Sequence, residues 1–287
     1  MQPEVAAFFD EDTFTVSYVV GDPATRRAAI IDSVLDFDHA SGRTKHASAD
    51  RVVEHVEQHG LKVDWILETH VHADHVSAGD YLKHRLGGRS AIGEHVRVVQ
   101  NAFARIFNTG AGFMPDGRQF DHLFKDGDTF KIGNVEARVL HTPGHTPACI
   151  TYVIGDAAFV GDTLFMPDYG TARCDFPGGD PAELYRSIRK LFALPPETRI
   201  FLCHDYKAPG RDQYRWETTV AEQRAKNVHI REGISEAEFV AMRTGRDKTL
   251  SMPKLILPSV QINMRAGTLP EPESNGVRYL KLPVDGF

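Results

Sequence analysis

Four apolar runs in this sequence each end in a histidine or a carboxylate, and that repeated ending restricts what the chain can fold into. VDWILETHVHADH passes from a strand-like stretch into His70, His72, Asp74 and His75. VEARVLHTPGHT leads to His145 on a Pro-Gly turn, FVGDTLF reaches Asp162, and IFLCHDY reaches His204. Short apolar strands are buried by pairing with one another, so side chains just past their ends converge in space. Converging imidazoles and carboxylates are the donors of a metal site. A single histidine at a strand exit reads as a solvated, idle side chain. Four endings of one kind do not.

The rest of the chain fits around this frame. TFTVSYVVGD and AAIIDSVLDFD carry β-branched and aromatic residues between turn signals and read as strands. FDHASGRTKHASAD is polar and reads as a surface loop. ADRVVEHVEQHG puts Val52, Val53 and Val56 on one helical face and stops at Gly60. HVSAGDYLKHRLGG has helical spacing; residues 90–125 are mixed, and Gly110, Gly112 and Gly117 suggest long loops. DPAELYRSIRKLFALP is a helix with Asp180 as its cap and Pro181 in its first turn. In ISEAEFVAMRTG, Ser235 and Glu238 form a capping-box pattern. Strand blocks in both halves, with helices between and after them, predict an α/β sandwich of two sheets with helices outside. The chain reads as a single domain over 1–287, with a C-terminal extension from about 235 to 287 that packs on the core.

Bulk properties exclude several classes. A formal charge of -6 over 287 residues argues against a nucleic-acid binder, which needs a basic face. No apolar run approaches a membrane span. The acidic start, MQPEVAAFFDEDTF, lacks the basic region of a signal or transit peptide. The three cysteines, Cys149, Cys174 and Cys203, form neither a disulfide framework nor a CxxC pair, so the expected location is the cytoplasm.

THVHADH, TPGHT, GDTLF and CHDY, in this order, resemble the metallo-β-lactamase superfamily, and the likeness runs from about Ser17 to His204. That resemblance implies an αββα sandwich with one or two metals at one edge, between the sheets. A two-metal hydrolase of this kind would place His70, His72 and His145 on one ion, Asp74, His75 and His204 on the other, and Asp162 between them. All seven are present, so a binuclear zinc thioester hydrolase of the glyoxalase II kind stays open. YGTARCDFPGGDPAELYRSI, MPKLILPSVQINMRAGTLPEPESNGVRYLKLP and IIDSVLDFDHASGRT narrow the likeness. They resemble the persulfide dioxygenases, also called sulfur dioxygenases, of the bacterial type without a fused rhodanese domain.

The narrower resemblance implies one Fe(II) per chain and oxidation of glutathione persulfide by O2 to sulfite and glutathione. Its implied iron ligands are His70, His145 and Asp162. Two imidazoles and a carboxylate on one face of iron leave three positions open, where a persulfide and O2 can meet. His72, Asp74 and His75 would surround these ligands. His204 would act with Tyr206, whose hydroxyl could reach the reacting oxygen. Arg173 and Arg265 would hold the carboxylates of glutathione, since a guanidinium fork matches a carboxylate. A third reading, a metal-binding sensor without turnover, leaves this full donor set unexplained.

His141 is separated from His145 by Pro143 and Gly144, so no helical face joins them, and it reads as a strand-end residue. His84, His95, His39, His46, His55 and His59 carry no metal spacing. Cys174 and Cys149 read as buried and inert. Cys203 is expected to point away from the metal, because it precedes His204 on a strand. A homo-oligomer, dimer or tetramer, is expected.

Overall fold

The computed structural model describes residues 2–286. The first half of the chain forms β1 (Glu4–Asp10), β2 (Thr15–Asp22), β3 (Arg27–Ile31), β4 (Val34–Asp38), β5 (Arg43–Lys45), α1 (Ala47–Gln58), β6 (Lys62–Leu67), β7 (Val76–Ser77), α2 (Gly79–Leu86), β8 (Arg89–Gly93), α3 (Val96–Ile106) and β9 (His122–Phe124). The second half forms β10 (Thr129–Ile132), β11 (Val135–His141), β12 (Ile150–Ile154), β13 (Ala157–Phe159), α4 (Pro181–Leu191), β14 (Arg199–Phe201), β15 (Glu217–Thr219), α5 (Val220–Lys226), α6 (Glu236–Asp247) and α7 (Ile256–Asn263). One sheet has the order β1-β2-β3-β6-β8-β9, and the other β10-β11-β12-β13-β14-β15.

The two sheets stack through their apolar faces. Val16, Tyr18, Ile31 and Leu67 from one meet Val139, Tyr152, Phe159 and Phe201 from the other, all buried. On the outer face of the first sheet, Val52, Val53 and Val56 of α1 and Leu82 of α2 cover Val19, Ile30 and Ile66. On the outer face of the second, Leu184, Ile188 and Leu191 of α4 and Phe239 of α6 cover Ala158, Val160, Ile200 and Leu202. This is the expected αββα sandwich. Each of these large side chains contributes about 1.5–3 kcal/mol through burial.

Both predicted caps form. The Asp180 carboxylate accepts from the backbone of Ala182 and Glu183 at 2.7 and 2.9 Å, and Ser235 and Glu238 make the reciprocal pair. No helix among the described residues is long and apolar enough to cross a membrane.

Two local expectations are corrected and a third is refined. The polar stretch 37–50 is not a loop. Phe37 pairs with Thr44 in a β4–β5 hairpin, and Asp38 accepts from Ala40 N and Ser41 Oγ in its turn. α1 then begins at Ala47. The helix expected from His75 starts later, because Val76 and Ser77 pair with Leu35 and Val34 as β7. Residues 90–125 hold β8, α3 and β9; Val96, Val99 and Phe103 bury one face of α3. The long loop expected at Gly110, Gly112 and Gly117 lies between α3 and β9, over 107–121.

Parallel pairing places the strand exits together. β3 runs parallel to β6, and β13 to β14, so Asp32, Glu68, Val160 and Leu202 all leave their strands in register with their neighbours' ends.

Candidate metal centre

Beyond β6 and β13 the chain turns sharply, and one glycine lets the two turns touch. Gly161 has φ +51°, and a Cβ there would sit 2.5 Å from Thr69 Oγ1. This close approach brings Asp162 against His70. Gly144, at φ +138°, presses the His145 turn onto the first turn of α4, where a Cβ would lie 2.3 Å from Leu184 N.

The result is a three-donor group. Nε2 of His145 lies 3.6 Å from Asp162 Oδ2, and Nε2 of His70 lies 4.0 Å from it. Donor atoms of His70, His145 and Asp162 are all within 4.8 Å of one another, and all three residues are buried. His70 Nε2 has no hydrogen-bond partner. An unpartnered buried imidazole nitrogen facing a carboxylate and a second imidazole fits a bound cation, which would satisfy all three. Burial, followed by the charge of His72, holds the His70 pKa well below its ordinary value, so its lone pair is free. Burial alone would raise the Asp162 pKa, but His204, His70 and His145 outweigh it and hold the carboxyl well below the usual range.

Each imidazole is oriented from its other nitrogen. His145 Nδ1 lies 2.7 Å from the Arg173 carbonyl oxygen. His70 Nδ1 lies 3.1 Å from Thr69 Oγ1. Thr69 in turn donates from N and Oγ1 to Asp32, both at 2.8 Å. Asp32 itself sits at φ +50°, a left-handed conformation that aspartate tolerates better than most side chains.

His72 falls outside this triad. It groups with Asp74 and His75, and separately with Asp32 and Glu68. Its Nε2 is 3.0 Å from Asp32 Oδ1 and 3.2 Å from Glu68 Oε2. Burial opposes its charge, yet Asp32 and Glu68 raise its pKa well above the ordinary value. His204 Nε2 lies 3.2 Å from both Asp74 Oδ2 and Asp162 Oδ1. Burial again opposes, and the two carboxylates push the His204 pKa up to about 9. Thr15 Oγ1 is 3.3 Å from Nδ1 of both His75 and His204, while His75 Nε2 has no partner.

The remaining candidates divide. The Tyr206 ring stacks on His204 at 5.6 Å between centroids. Burial, then Asp74 and Asp162, raise its pKa well above the ordinary value, so the hydroxyl keeps its proton. Arg173 is already engaged: Nε and Nη2 reach the two oxygens of Asp175 at 2.5 and 2.6 Å, and Nη1 reaches Ser251 O at 2.6 Å. Arg265 lies over the Phe113 ring at 4.5 Å and donates to Gln261 O at 2.6 Å, with no carboxylate partner among the described residues. His141 ends β11 as expected, and its Nε2 reaches Pro147 O at 2.9 Å. Cys149 and Cys174 are buried, and burial raises both thiol pKa values, Cys149 to about 12.

The expectation for Cys203 is corrected. Its Sγ lies within 4.8 Å of donor atoms of Asp162 and His204, on the metal side. β14 ends at Phe201, so strict strand alternation no longer governs residues 202–204.

Sequence reasoning missed the side chains that support these loops. Asp32 and Glu68 had a usable signal, an acid directly after an apolar strand. Asn263 and Arg243 had none. From α7, Asn263 Nδ2 donates to the carbonyls of His72 and His75 at 2.9 and 2.8 Å, and its Oδ1 accepts from Ser77 N at 2.8 Å. From α6, Arg243 Nη1 donates to Thr171 O at 3.0 Å, and Asp247 accepts from Cys174 N at 2.9 Å.

An αββα sandwich with histidines and aspartates gathered at its strand exits defines a metal-binding enzyme scaffold. The Metallo-beta-lactamase superfamily profile matches residues 10–204, and the chain belongs to that superfamily. It is 59% identical over 293 residues to a probable metallo-hydrolase of Burkholderia pseudomallei, covering 99% of each chain. It is 45% identical to glyoxylase B2 of Dictyostelium discoideum, covering 98% of this chain and 97% of that one. The mitochondrial persulfide dioxygenase ETHE1 of Bos taurus is 32% identical, over 90% of this chain and 87% of its own. The crystal structure of ETHE1 from Myxococcus xanthus superposes with a TM-score of 0.73 at 31% identity, covering 92% of this chain and all of that one. Of some other curated relatives the chain spans 65% of the length.

Proposed function

We propose that the chain is a mononuclear iron dioxygenase that oxidises glutathione persulfide with O2. Water supplies the third oxygen of the sulfite product, and glutathione is released. The observation that carries this reading is the three-donor group His70, His145 and Asp162, two imidazoles and one carboxylate, with His72 held elsewhere by Asp32 and Glu68. That donor set suits non-heme Fe(II), and the likeness to proteins named persulfide dioxygenase points the same way.

Bound there, Fe(II) would supply the redox link between the sulfur and O2 that zinc lacks. The protein's own work is positional. His70 stays neutral through burial, and the Arg173 carbonyl fixes the His145 tautomer, so both present Nε2 to Asp162. Val71, Ala73 and Phe176 line an apolar recess beside His145 and keep water from that side. Tyr206 retains its proton and can donate a hydrogen bond to a developing oxygen charge. Arg265, half-buried and without an acid partner among the described residues, would take one carboxylate of glutathione. Arg173, engaged by Asp175 and Ser251, would have to open its ion pair to present the same fork to a substrate carboxylate.

A second reading is a binuclear zinc thioester hydrolase. It is favoured by the unpartnered His75 Nε2 beside Asp74 and His204, and by the relative named glyoxylase B2. Purification under nitrogen, metal analysis and oxygen uptake on glutathione persulfide separate the two. The dioxygenase reading expects about one iron per chain and O2 consumption. Two zincs per chain with thioester cleavage under nitrogen would replace it. Asp162→Ala removes the only carboxylate of the triad and is expected to abolish iron binding; a variant retaining stoichiometric iron would refute the ligand set.

A further inference from the structure

A cleft of about 510 Å³ opens from Asp74, whose carboxylate touches His75 and His204, toward the β4–β5 hairpin. Its volume is that of a small-molecule site. Val34, Leu35, Phe37 and Leu255 supply an apolar part, and Arg43, Lys45 and Lys254 supply three cations. Asp10, Asp12, Asp36 and Asp38 also line it.

The polar groups are not equivalent. Asp10 accepts from Thr13 and Ser48, Asp36 from Ser48, and Asp38 from Ala40 and Ser41. These acids are occupied in holding the hairpin and the start of α1. The side chains of Arg43, Lys45, Lys254 and Asp12, by contrast, make no hydrogen bond or ion pair among the described residues. The cleft therefore offers free cations and one free carboxylate, and its wall includes Asp74, which touches His75 and His204 beside the metal cluster. A plain anion would meet too many acids there. A zwitterion would not: its carboxylate finds the cations, and its ammonium finds Asp12.

We propose that this cleft holds the amino-acid head, ammonium plus carboxylate, of the peptide thiol whose sulfur reacts at the metal. Arg43, Lys45 and Lys254 take the carboxylate, and Asp12 takes the ammonium. The proposal rests on the thiol-substrate reading above. It also completes it, because Arg173 is paired and Arg265 can engage only the substrate's other carboxylate. The β4–β5 hairpin thereby becomes a specificity element that distinguishes glutathione from thiols lacking an α-amino acid.

The test is calorimetric binding, under nitrogen, to the protein as purified. The probes are glutathione and glutaryl-cysteinylglycine, which differs from glutathione by lacking the ammonium. Exposed charge pairs are individually weak. The triple variant Arg43→Ala, Lys45→Ala, Lys254→Ala is therefore expected to weaken glutathione binding about tenfold. Wild-type protein is expected to prefer glutathione to its des-amino analogue about fivefold, and Asp12→Asn to erase that preference. Unchanged glutathione affinity in the triple variant, or no discrimination between the probes by wild-type protein, overturns the proposal. Binding is read without turnover. Absent oxygen uptake would defeat the dioxygenase reading alone, and unchanged binding would defeat the cleft alone.

Discussion

The ring nitrogen Nδ1 of His145 and the carbonyl oxygen of Arg173 lie 2.7 Å apart, and through that contact the C-terminal helices reach the metal centre. Arg173 belongs to a loop fastened at Thr171 and Cys174 by the buried pair Arg243 and Asp247, whose own Nε–Oδ1 distance is 2.8 Å. A hydrogen-bonded carbonyl fixes which imidazole nitrogen faces the metal, and such supporting contacts commonly change metal affinity 10- to 100-fold. The site is thus built by elements about 100 residues beyond His145 in sequence.

Arg243→Leu leaves Asp247 as an unpaired buried charge. The expected cost is about 3–5 kcal/mol in urea unfolding, because removing one partner of a buried pair strands the other. Asp247→Asn keeps one acceptor for Cys174 N but strands the buried Arg243 charge, so it is expected to be destabilising as well. Both variants are expected to surrender metal to a chelator faster than wild-type protein. A folded Arg243→Leu protein that holds its metal as tightly as wild type would disconnect α6 from the site.

Asn263 tests the other loop. Its side chain makes three hydrogen bonds to residues 72–77, which carry His72, Asp74 and His75. Asn263→Ala strands buried backbone groups at about 1–3 kcal/mol each. Asn263→Asp restores only the bond from Ser77 N, since a carboxylate cannot donate to the carbonyls of His72 and His75. Both variants are expected to melt below wild type, Asp because its buried carboxylate would face two carbonyl oxygens that now receive a donor. Equal melting temperatures for all three would contradict the clamp.

In the metal-free protein, stability should depend on His204. Its folded pKa, about 9, exceeds the ordinary histidine value because Asp74 and Asp162 flank it. A raised pKa gives stability that is complete below about pH 6.5 and is lost as pH rises through about 9. The span corresponds to about 3 kcal/mol. Melting temperature of chelator-stripped protein should therefore fall between pH 6.5 and 9.5, and His204→Gln should flatten that fall. The same alkaline slope in His204→Gln would place its origin elsewhere.

What the sequence revealed and what it concealed follow from the range of the interactions. His70, His145, Asp162 and His204 were legible because each follows a short, β-branched or aromatic apolar run bounded by turn residues, which reads as a buried strand. The caps at Asp180 and Ser235 were legible because capping is decided within four residues. The β4–β5 hairpin was not, because its edge strands are polar and resemble a loop. Asn263 was not, because its partners lie 186–191 residues away. Cys203 was misread where a period-two rule was carried two residues past the end of β14. Arg173 was expected on a substrate carboxylate, and its partner in the structure is Asp175, two residues on.

Arg265 is the guanidinium whose availability decides how the substrate is held. Burial lowers its pKa, the Phe113 face covers one side, and Nη1 spends a bond on Gln261 O. Nε and Nη2 remain without partners among the described residues, and together they present a two-pronged edge to a carboxylate. Arg265→Ala should raise KM for glutathione persulfide about tenfold with iron content unchanged, the signature of lost ground-state binding. Arg265→Lys keeps the charge and loses the fork, so its KM should fall between the two. If instead iron is lost along with activity, Arg265 supports the α7 end of the metal loop, where its neighbour Asn263 already acts; unchanged kinetics would remove it from the site altogether.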